Sequence, residues 1–187
     1  MNINEAITGR RSVRDYTPTK IDDVAVRQLL EAAVHAPTAI HEESWAFVVV
    51  QDKSLLNRLS DHAKALLNSG APIHPGGLSH ASDHLVAPEF NAFYNATTLI
   101  VICAKLTGAF VSADCWLAAQ NLMLAAYSQG LGTCVIGLAV SALNTPQWKK
   151  EIGIPEDMTA FVPIIVGVPA HPTPPVSRKP PNILSWK

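Results

Sequence analysis

Apolar side chains recur at intervals of three and four residues along much of the chain, which is the spacing of one face of an α-helix. In one such stretch Asp22 can cap the first turn, and Pro37 prevents the helix from continuing. In another, Pro146 follows Thr145, which is a typical helix start. The pattern predicts helices over residues 3–9, 22–35, 52–68 and 112–129, and a further one from residue 145.

Short runs of β-branched and aromatic residues lie between these helices and predict strands. The strands cover residues 45–51, 98–103, 133–138 and 161–168. Residues 69–89 follow neither pattern and are rich in Gly, Pro, Ser and His. We interpret them as an active-site loop or lid with room for one short helix.

The predicted helix over residues 112–129 is apolar on almost every side, so its own core or a second subunit must surround it. Residues 115–148 contain no charged side chain and no histidine, which calls for a comparison with membrane spans. Gln120 and Gln129 interrupt the apolar run, and Gly130 breaks the helix. We therefore expect a buried helix and a buried strand, and no membrane span.

The length of 187 residues favours one domain, with a tail of different composition at its end. Residues 169–187 are rich in proline, which makes this tail stiff and extended. A segment of this kind cannot form a core of its own. It must therefore lie on another surface or extend into solvent.

The charge balance excludes some classes of partner. Hydrophobic residues make up 48% of the chain and charged residues only 16%, against a usual charged fraction of about 25%. The low charge suggests that a partner subunit or a large ligand covers part of the surface. A net charge of -1 offers no excess of cations for a nucleic-acid backbone.

Three cysteines without a CxxC pair, and an N-terminus without a signal-peptide pattern, predict a cytoplasmic location.

Arg10, Arg11 and Arg14 form the densest cationic cluster of the chain, with Ser12 among them. If this segment is extended, its successive side chains point to alternate sides, which puts Arg10, Ser12 and Arg14 on one side. Two guanidinium groups and a hydroxyl on one face suit a phosphate or another anion. A solvated basic turn is the alternative that composition alone favours.

Histidine and cysteine side chains are weaker candidates for metal or nucleophilic chemistry. His80 and His84 have the i,i+4 spacing of a zinc pair, but no third ligand is placed, so no metal is predicted. Cys134 has no histidine at a telling position and is interpreted as a buried structural thiol. The glycines around it form neither a GxGxxG turn nor a P-loop.

Four segments, taken in order, resemble the motifs of the FMN-dependent nitroreductase family. Residues 10–16 (RRSVRDY) are similar to its N-terminal phosphate-binding motif, and residues 36–50 (APTAIHEESWAFVVV) to its second motif. Residues 120–137 (QNLMLAAYSQGLGTCVIG) are similar to the third, and residues 162–180 to the closing strand and Arg-bearing tail. The resemblance spans nearly the whole chain and makes the solvated-turn alternative less favoured.

The resemblance implies an α+β fold, in which helices wrap a central, mostly antiparallel sheet in an intertwined homodimer. It also implies two FMN sites at the dimer interface, each with residues from both chains. The apolar helix would lie in and near this interface. The tail of residues 169–187 would extend over the partner subunit, where it could add the final strand of the sheet.

The resemblance also implies roles for individual residues around FMN. Arg10, Ser12 and Arg178 would hold the phosphate, with Arg11 beside them on phosphate or ribityl oxygens. Arg14 would lie near the N1 and O2 edge of the ring, where a fixed cation stabilises the negative charge of reduced flavin. The other residues implied at the flavin are Pro37, Thr38 and Ala39 from the other chain, His41 as a hydrogen-bond donor, and Val135, Ile136 and Gly137 with backbone N–H groups near N5 and O4.

The sequence departs from the family pattern in three places. His41 replaces the usual Asn, and Glu43-Ser44 replaces Gln-Pro. A carboxylate near the ring would disfavour reduced flavin unless it is paired with an arginine or turned away. Val135 replaces the usual Trp and should open space beside the flavin.

The implied activity is that of an FMN-dependent oxidoreductase. NAD(P)H would reduce FMN, and a nitroaromatic or quinone-like acceptor would take the electrons in a ping-pong cycle, with no side chain acting as nucleophile. Two alternatives stay open: an FMN-binding or redox-responsive protein with little turnover, and a family member with dehalogenase-type or dehydrogenase-type chemistry. Specificity is expected from residues 69–94, where Phe90, Phe93 and Tyr94 stack on a planar substrate or pack the loop onto the core.

Overall fold

The computed structural model describes residues 1–69, 87 and 89–187, and every helix and strand predicted from the sequence is present there. Its helices in this part of the chain are α1 Ile3–Gly9, α2 Asp23–Val34, α3 Lys53–Asn68, α4 Val111–Ser128, α5 Val140–Leu143 and α6 Pro146–Ile152. Its strands there are β1 Trp45–Val50, β2 Thr98–Lys105, β3 Gly132–Val135 and β4 Met158–Gly167. Short 3₁₀ turns cover Ala39–His41 and Gly137–Ala139. Most of the predicted loop over residues 69–89 lies outside the described residues.

The helices begin and end where the sequence supplies caps. Asp22 Oδ1 accepts the Ala25 N–H at 2.7 Å at the start of α2, and Thr145 Oγ1 accepts the Trp148 N–H at the start of α6. Both caps confirm the sequence prediction. After α4, Gly130 takes a left-handed φ of 75°, which lets the following amides bond back to the last turn. Among the described residues, no helix combines the length and apolarity needed to cross a bilayer.

The strands of the described residues form one antiparallel sheet in the order β1-β2-β4-β3. β2 and β4 lie in the centre and pair along the whole length of β2, with a bulge between Ile102 and Cys103. β1 and β3 are the two edges. The arrangement confirms the expected α+β class with a mostly antiparallel sheet.

The strand predicted over residues 133–138 is wrong at its C-terminal end. β3 stops at Val135, and the Ala139 N–H donates to the Ile136 carbonyl oxygen to close a 3₁₀ turn. The Ile136 N–H still donates to Pro163 of β4 at 2.9 Å. The turn buries Ala139 completely in the core that α3 also forms, so burial overrides the strand preference of this apolar segment.

Helices cover both faces of the sheet, and successive residues of β2 contact the two cores in turn. Leu99 and Val101 pack with side chains of α3, α5 and α6, whereas Ile100 and Ile102 pack with side chains of α2 and α4. All four are fully buried. Because both faces of β2 and β4 are covered, these strands read as continuous apolar runs without alternating polar residues.

Large apolar side chains stay exposed on α1, α4 and the tail of the single chain. On α4, Trp116 and Leu117 are each 44% exposed, so the core of this chain covers only one side of the helix. Residues 171–187 are exposed along their whole length. The other exposed apolar side chains on these elements are Ile3, Ile7, Phe110, Val176, Ile183, Leu184 and Trp186. Exposed apolar area of this extent is typical of an interaction surface.

The segment that follows α1 lies beside the free edge of β3. The Val13 N–H donates to the carbonyl oxygen of Thr133 in β3 at 2.9 Å. Further along, the Thr17 N–H donates to the carbonyl oxygen of Val168, just after β4, at 2.9 Å. Only glycine fits at Gly132, because a Cβ there would lie 2.8 Å from the Cβ of Val13. This close approach determines where the arginines on either side of Val13 are placed.

Gly132→Ala is expected to push the Val13 segment away from β3 and lower the free energy of unfolding by about 1–3 kcal/mol, the usual cost of overpacking. Urea denaturation followed by far-UV circular dichroism measures the change. Gly108→Ala is the matched control, because a Cβ at Gly108 meets no atom within 4 Å. Equal denaturation midpoints for the two variants would contradict the close approach.

Candidate functional site

Arg10, Ser12 and Arg14 lie together near the thiol of Cys134. Burial raises the pKa of this thiol. The charge of Arg14, a hydrogen bond with Ser12 and the charge of Arg10 each lower the pKa in turn. All three side chains are therefore close to one point, as the period of two predicts. Neither guanidinium makes a hydrogen bond or ion pair with the chain described here. Both retain their donors for a ligand.

The cysteines are poor nucleophiles. Burial raises the pKa of Cys103 and of Cys115 to about 12, and Cys134 is only 3% exposed. Thiols in such surroundings stay protonated at neutral pH. The burial of Cys134 agrees with its interpretation as a structural residue.

Arg11 bonds to the backbone of its own chain. Its Nη1 donates to the carbonyl oxygens of Thr8 and Arg10, at 2.6 and 2.8 Å, at the end of α1. These bonds form because the free carbonyl groups at a helix C-terminus attract a cation, and the expected contact of Arg11 with phosphate or ribityl oxygens stays a prediction. Its Nε is buried and has no hydrogen-bond partner in the described residues.

The end of β3 provides open backbone on the side of the arginines. The Ile136 N–H is bonded to Pro163 of β4, so this residue does not offer the donor that was expected of it. Neighbouring residues of a strand direct their backbone groups to opposite sides, so the Val135 N–H points away from β4. Gly137 is exposed, and a Cβ there would meet no atom within 4 Å. Val135 therefore offers a backbone donor at this edge, and Gly137 leaves room for a ligand beside it.

Residues 37–44, the other segment predicted to contact a cofactor, form a tight loop with unusual backbone angles. Ile40, His41 and Glu43 have φ values of 48°, 57° and 44°, a region that residues other than glycine rarely occupy. Such conformations persist only where the surrounding structure holds them, and they cluster at functional sites. The side chains of His41 and Glu43 are both exposed.

Asp114 holds this loop from α4. Asp114 is 4% exposed, and its carboxylate accepts the Ala39 N–H, at 3.2 Å from Oδ1 and 3.4 Å from Oδ2. Pro37 beside it is exposed and Thr38 is half-buried. The motifs do not include Asp114. Its signal in the sequence is a single carboxylate within an otherwise apolar helix, since buried charges are rare unless they have a partner.

The loop and the arginines lie at opposite edges of the sheet. The loop leads into β1 and the arginines lie beside β3, with β2 and β4 between them; three strand spacings of about 4.8 Å amount to about 14 Å. They also lie toward opposite ends, because β1 begins opposite Ala104 of β2, whereas Thr133 of β3 is level with Thr98. One chain therefore does not bring both groups onto one small ligand.

Arg178 lies in the exposed tail and makes no hydrogen bond or ion pair within residues 1–69, 87 and 89–187. The start of the tail is held nearby, because the Ala170 N–H donates to the Asp15 carbonyl oxygen at 3.0 Å. A cavity of about 240 Å³ is lined by Arg10 and by His171 of the tail. The structure thus brings the start of the tail to the arginines, but not Arg178 itself.

The aromatic residues before β2 have separate roles. Phe93 is 1% exposed and belongs to the core, which confirms the packing alternative for this side chain. The rings of Phe90 and Tyr94 meet edge to face, 5.4 Å apart at 85°, and the Arg14 guanidinium lies over the Tyr94 ring, 5.9 Å from its centroid. His80 lies outside the described residues, as does His84.

Two buried polar side-chain atoms have no hydrogen-bond partner within the described residues, Arg11 Nε and Ser44 Oγ. Both lie in segments that resemble FMN-binding motifs. A buried polar atom without a partner is costly, so such atoms in a native protein point to a missing partner. Together with the unpaired Arg10 and Arg14, they fit a ligand such as FMN, which carries a phosphate and many hydrogen-bonding oxygens.

The sequence model of the nitroreductase family matches residues 7–167, which include both segments. The chain belongs to the nitroreductase family. This nitroreductase-family protein is 29% identical over 176 residues to a Methanothermobacter thermautotrophicus protein provisionally named NADH dehydrogenase/NAD(P)H nitroreductase, covering 91% of this chain and 79% of that one. It is also 29% identical over 171 residues to the NADPH-flavin oxidoreductase of Vibrio harveyi, covering 90% and 66%. The family and these relatives make the chain an oxidoreductase.

Solved structures show the same fold. The Desulfitobacterium hafniense nitroreductase with bound FMN has a TM-score of 0.85 at 24% identity and covers 100% of both chains. The Bacteroides fragilis nitroreductase with bound FMN has a TM-score of 0.81 at 24% identity, covering 100% of this chain and 98% of that one. The expected nitroreductase-like fold is thereby confirmed.

Asp114→Ala is expected to release the loop of residues 37–44, because the Ala39 N–H loses its buried acceptor. Loss of a hydrogen bond worth about 1–3 kcal/mol predicts amide hydrogen exchange roughly 5- to 150-fold faster in peptides that cover the loop. Asp114→Asn is the matched control, since it keeps an acceptor oxygen in nearly the same volume. If exchange in the loop were equal in the parent and in Asp114→Ala, Asp114 would not be what holds it.

Proposed function

We propose that this nitroreductase-family protein is a cytoplasmic, FMN-dependent oxidoreductase that uses NAD(P)H to reduce a nitroaromatic or quinone-like acceptor by a ping-pong mechanism. The proposal is carried by the two unpaired guanidinium groups of Arg10 and Arg14, which lie with Ser12 beside the open end of β3. When bound, FMN supplies the hydride chemistry between the nicotinamide and the acceptor. The chain contributes binding, positioning and charge.

Arg10, Ser12 and Arg178 hold the FMN phosphate in this proposal. A guanidinium fork matches phosphate oxygens in geometry, and hydrogen bonds between charged groups are the strong ones. Arg178 reaches the phosphate from the tail, whose start already lies beside Arg10. Arg11 fixes the end of α1 through Nη1 and offers its unpaired Nε to a ribityl oxygen.

Arg14 and the end of β3 act on the ring. A cation at the N1 and O2 edge stabilises the negative charge that the ring gains on reduction, and it raises the reduction potential. The N–H groups of Val135 and Gly137 would be the hydrogen-bond donors to N5 and O4. Gly137 permits a close approach because it has no side chain, and Ile136 contributes packing alone.

A second copy of the chain completes the site. Pro37, Thr38, Ala39 and His41 lie at the far edge of the sheet from the arginines of their own chain, so they line the flavin that the partner binds. The exposed apolar side chains on α4 and the tail provide the dimer surface. The tail extends over the partner and can add a strand to the unpaired edge of β1.

An FMN-binding protein with little turnover is the second candidate, and Glu43 favours it. Its carboxylate is exposed in the loop assigned to the flavin and forms no ion pair with the described residues. A negative charge near the ring opposes the charge gained on reduction and lowers the potential. The two candidates therefore differ in how readily the bound flavin is reduced.

The visible spectrum of the purified protein under anaerobic conditions separates the candidates. The oxidoreductase is expected to be yellow, to lose its colour within the mixing time on addition of NADH or NADPH, and to regain it with a nitroaromatic or quinone. A yellow protein that keeps its colour with both nucleotides would instead support the second candidate. A colourless protein that takes up no added FMN would overturn both.

Arg10→Ala and Arg178→Ala are each expected to weaken FMN binding, because the phosphate loses a charge-assisted contact worth about 1.5–3 kcal/mol. This corresponds to a dissociation constant roughly 10- to 150-fold higher, measured by quenching of FMN fluorescence. Arg27→Ala is the matched control, since Arg27 is exposed on α2, away from the site. Unchanged affinity in both variants would overturn the phosphate assignment.

A further inference from the structure

The Arg14 guanidinium stacks on the face of a single aromatic ring, that of Tyr94. The distance from Cζ to the ring centroid is 5.9 Å, within the range of a favourable cation–π contact. Arg14 is exposed and otherwise makes no hydrogen bond or ion pair in the described part of the chain. An arginine of this kind has many rotamers available, and among the described residues the Tyr94 ring is the contact that restricts the position of its charge.

Tyr94 is an unusual residue for the backbone that it occupies. Tyr94 and Asn95 have φ values of 51° and 56°, and the Ala96 N–H donates to the Phe93 carbonyl oxygen at 2.9 Å. This is the pattern of a type I′ turn, whose central positions favour Gly, Asn and Asp. A bulky residue in this conformation is strained, and such strain is typical of functional positions.

The turn that carries Tyr94 is anchored on three sides. The Phe93 side chain is buried in the core, and the Ala92 N–H donates to Ser60 Oγ of α3 at 2.8 Å. The Asn91 side chain accepts the Phe93 N–H at 2.9 Å. Phe90 meets the Tyr94 ring edge to face. The ring is therefore a fixed surface for Arg14, not a mobile one.

Among the residues that the structure describes, no carboxylate forms an ion pair with Arg14. Tyr16 and Cys134 lie close enough for Arg14 to affect their titration, and burial raises the pKa of both groups well above neutrality. Both are therefore uncharged at physiological pH. The carboxylate of Asp15, the next residue, lies 3.8 Å from the imidazole of His171. Within the described residues, the Arg14 guanidinium is therefore free of an ion pair and available to a ligand.

We propose that Tyr94 is a positioning residue, which fixes the Arg14 guanidinium against the flavin ring and thereby raises the reduction potential of bound FMN. The inference rests on the proposed function, in which Arg14 lies at the N1 and O2 edge. A cation stabilises a developing charge only if its position is fixed before that charge appears. The Tyr94 ring provides this fixation from outside the family motifs.

Two substitutions at Tyr94 test the inference, and both are chosen so that the turn around residue 94 can still form. Tyr94→Asn removes the ring, and asparagine tolerates the left-handed backbone better than tyrosine does. Tyr94→Phe keeps the ring and removes only the hydroxyl, so it is the matched control. Circular dichroism and thermal denaturation of the apoproteins show whether both variants fold.

The readouts are the FMN dissociation constant and the two-electron potential, measured by equilibration with a reference dye under excess FMN. Loss of an exposed cation–π contact predicts roughly two- to fivefold weaker FMN binding in Tyr94→Asn. A two- to fivefold smaller preference for reduced FMN corresponds to a potential about 10 to 20 mV lower. Tyr94→Phe should match the parent in both readouts. Equal potentials for the Asn and Phe variants would overturn the inference.

Arg14→Met separates this inference from the proposed function. If Tyr94 acts through Arg14, Arg14→Met lowers the potential, and adding Tyr94→Asn to it causes no further shift. A potential that falls in Arg14→Met but not in Tyr94→Asn overturns the role of Tyr94 and leaves the role of Arg14 intact. A potential unchanged by Arg14→Met overturns the placement of Arg14 at the ring, and with it the inference.

Discussion

The pairing of β2 with β4 is the interaction on which the rest of the structure depends. Both strands are covered by helices on both faces, so their backbone groups can find partners only in each other and in the edge strands. Their register therefore determines where β1 and β3 lie. The loop of residues 37–44 leads into β1, and the arginine segment lies along β3, so the central pair sets the separation between the two halves of the candidate site.

This separation explains several features of the chain together. Two groups that resemble parts of one cofactor site lie at opposite edges of one sheet, and the single chain exposes apolar side chains on α4 and the tail. The dimer proposed above would bring the two groups together and cover the exposed apolar side chains. Arg10 and Arg14 both lie near Cys134, and neither forms an ion pair within the described residues. In the proposed function a phosphate-bearing ligand would lower the repulsion between these cations, so its binding and the stability of this region would be coupled.

Helix starts and ends were predicted correctly from the sequence where a single residue determines them. Asp22 and Thr145 start helices because their side-chain oxygens accept backbone N–H groups of the first turn, and Gly130 follows the end of α4 because it tolerates a left-handed φ. The prediction of β3 beyond Val135 was wrong, because burial of Ala139 beneath α3 is a tertiary effect that no local pattern contains. The bonds of Arg11 Nη1 to the carbonyl groups of Thr8 and Arg10 were not foreseen from the motif either, because they depend on where α1 ends.

The sequence by itself determined the elements, the family and the chemical character of the candidate site, because caps, periodicity and motifs are read within short windows of the chain. Only the tertiary structure decided which of those residues meet. It placed Asp114 under Ala39, and Tyr94 under Arg14, across 75 and 80 positions of the chain. Contacts of this range depend on the sheet register and on the path of the connecting segments, which no single stretch of residues encodes.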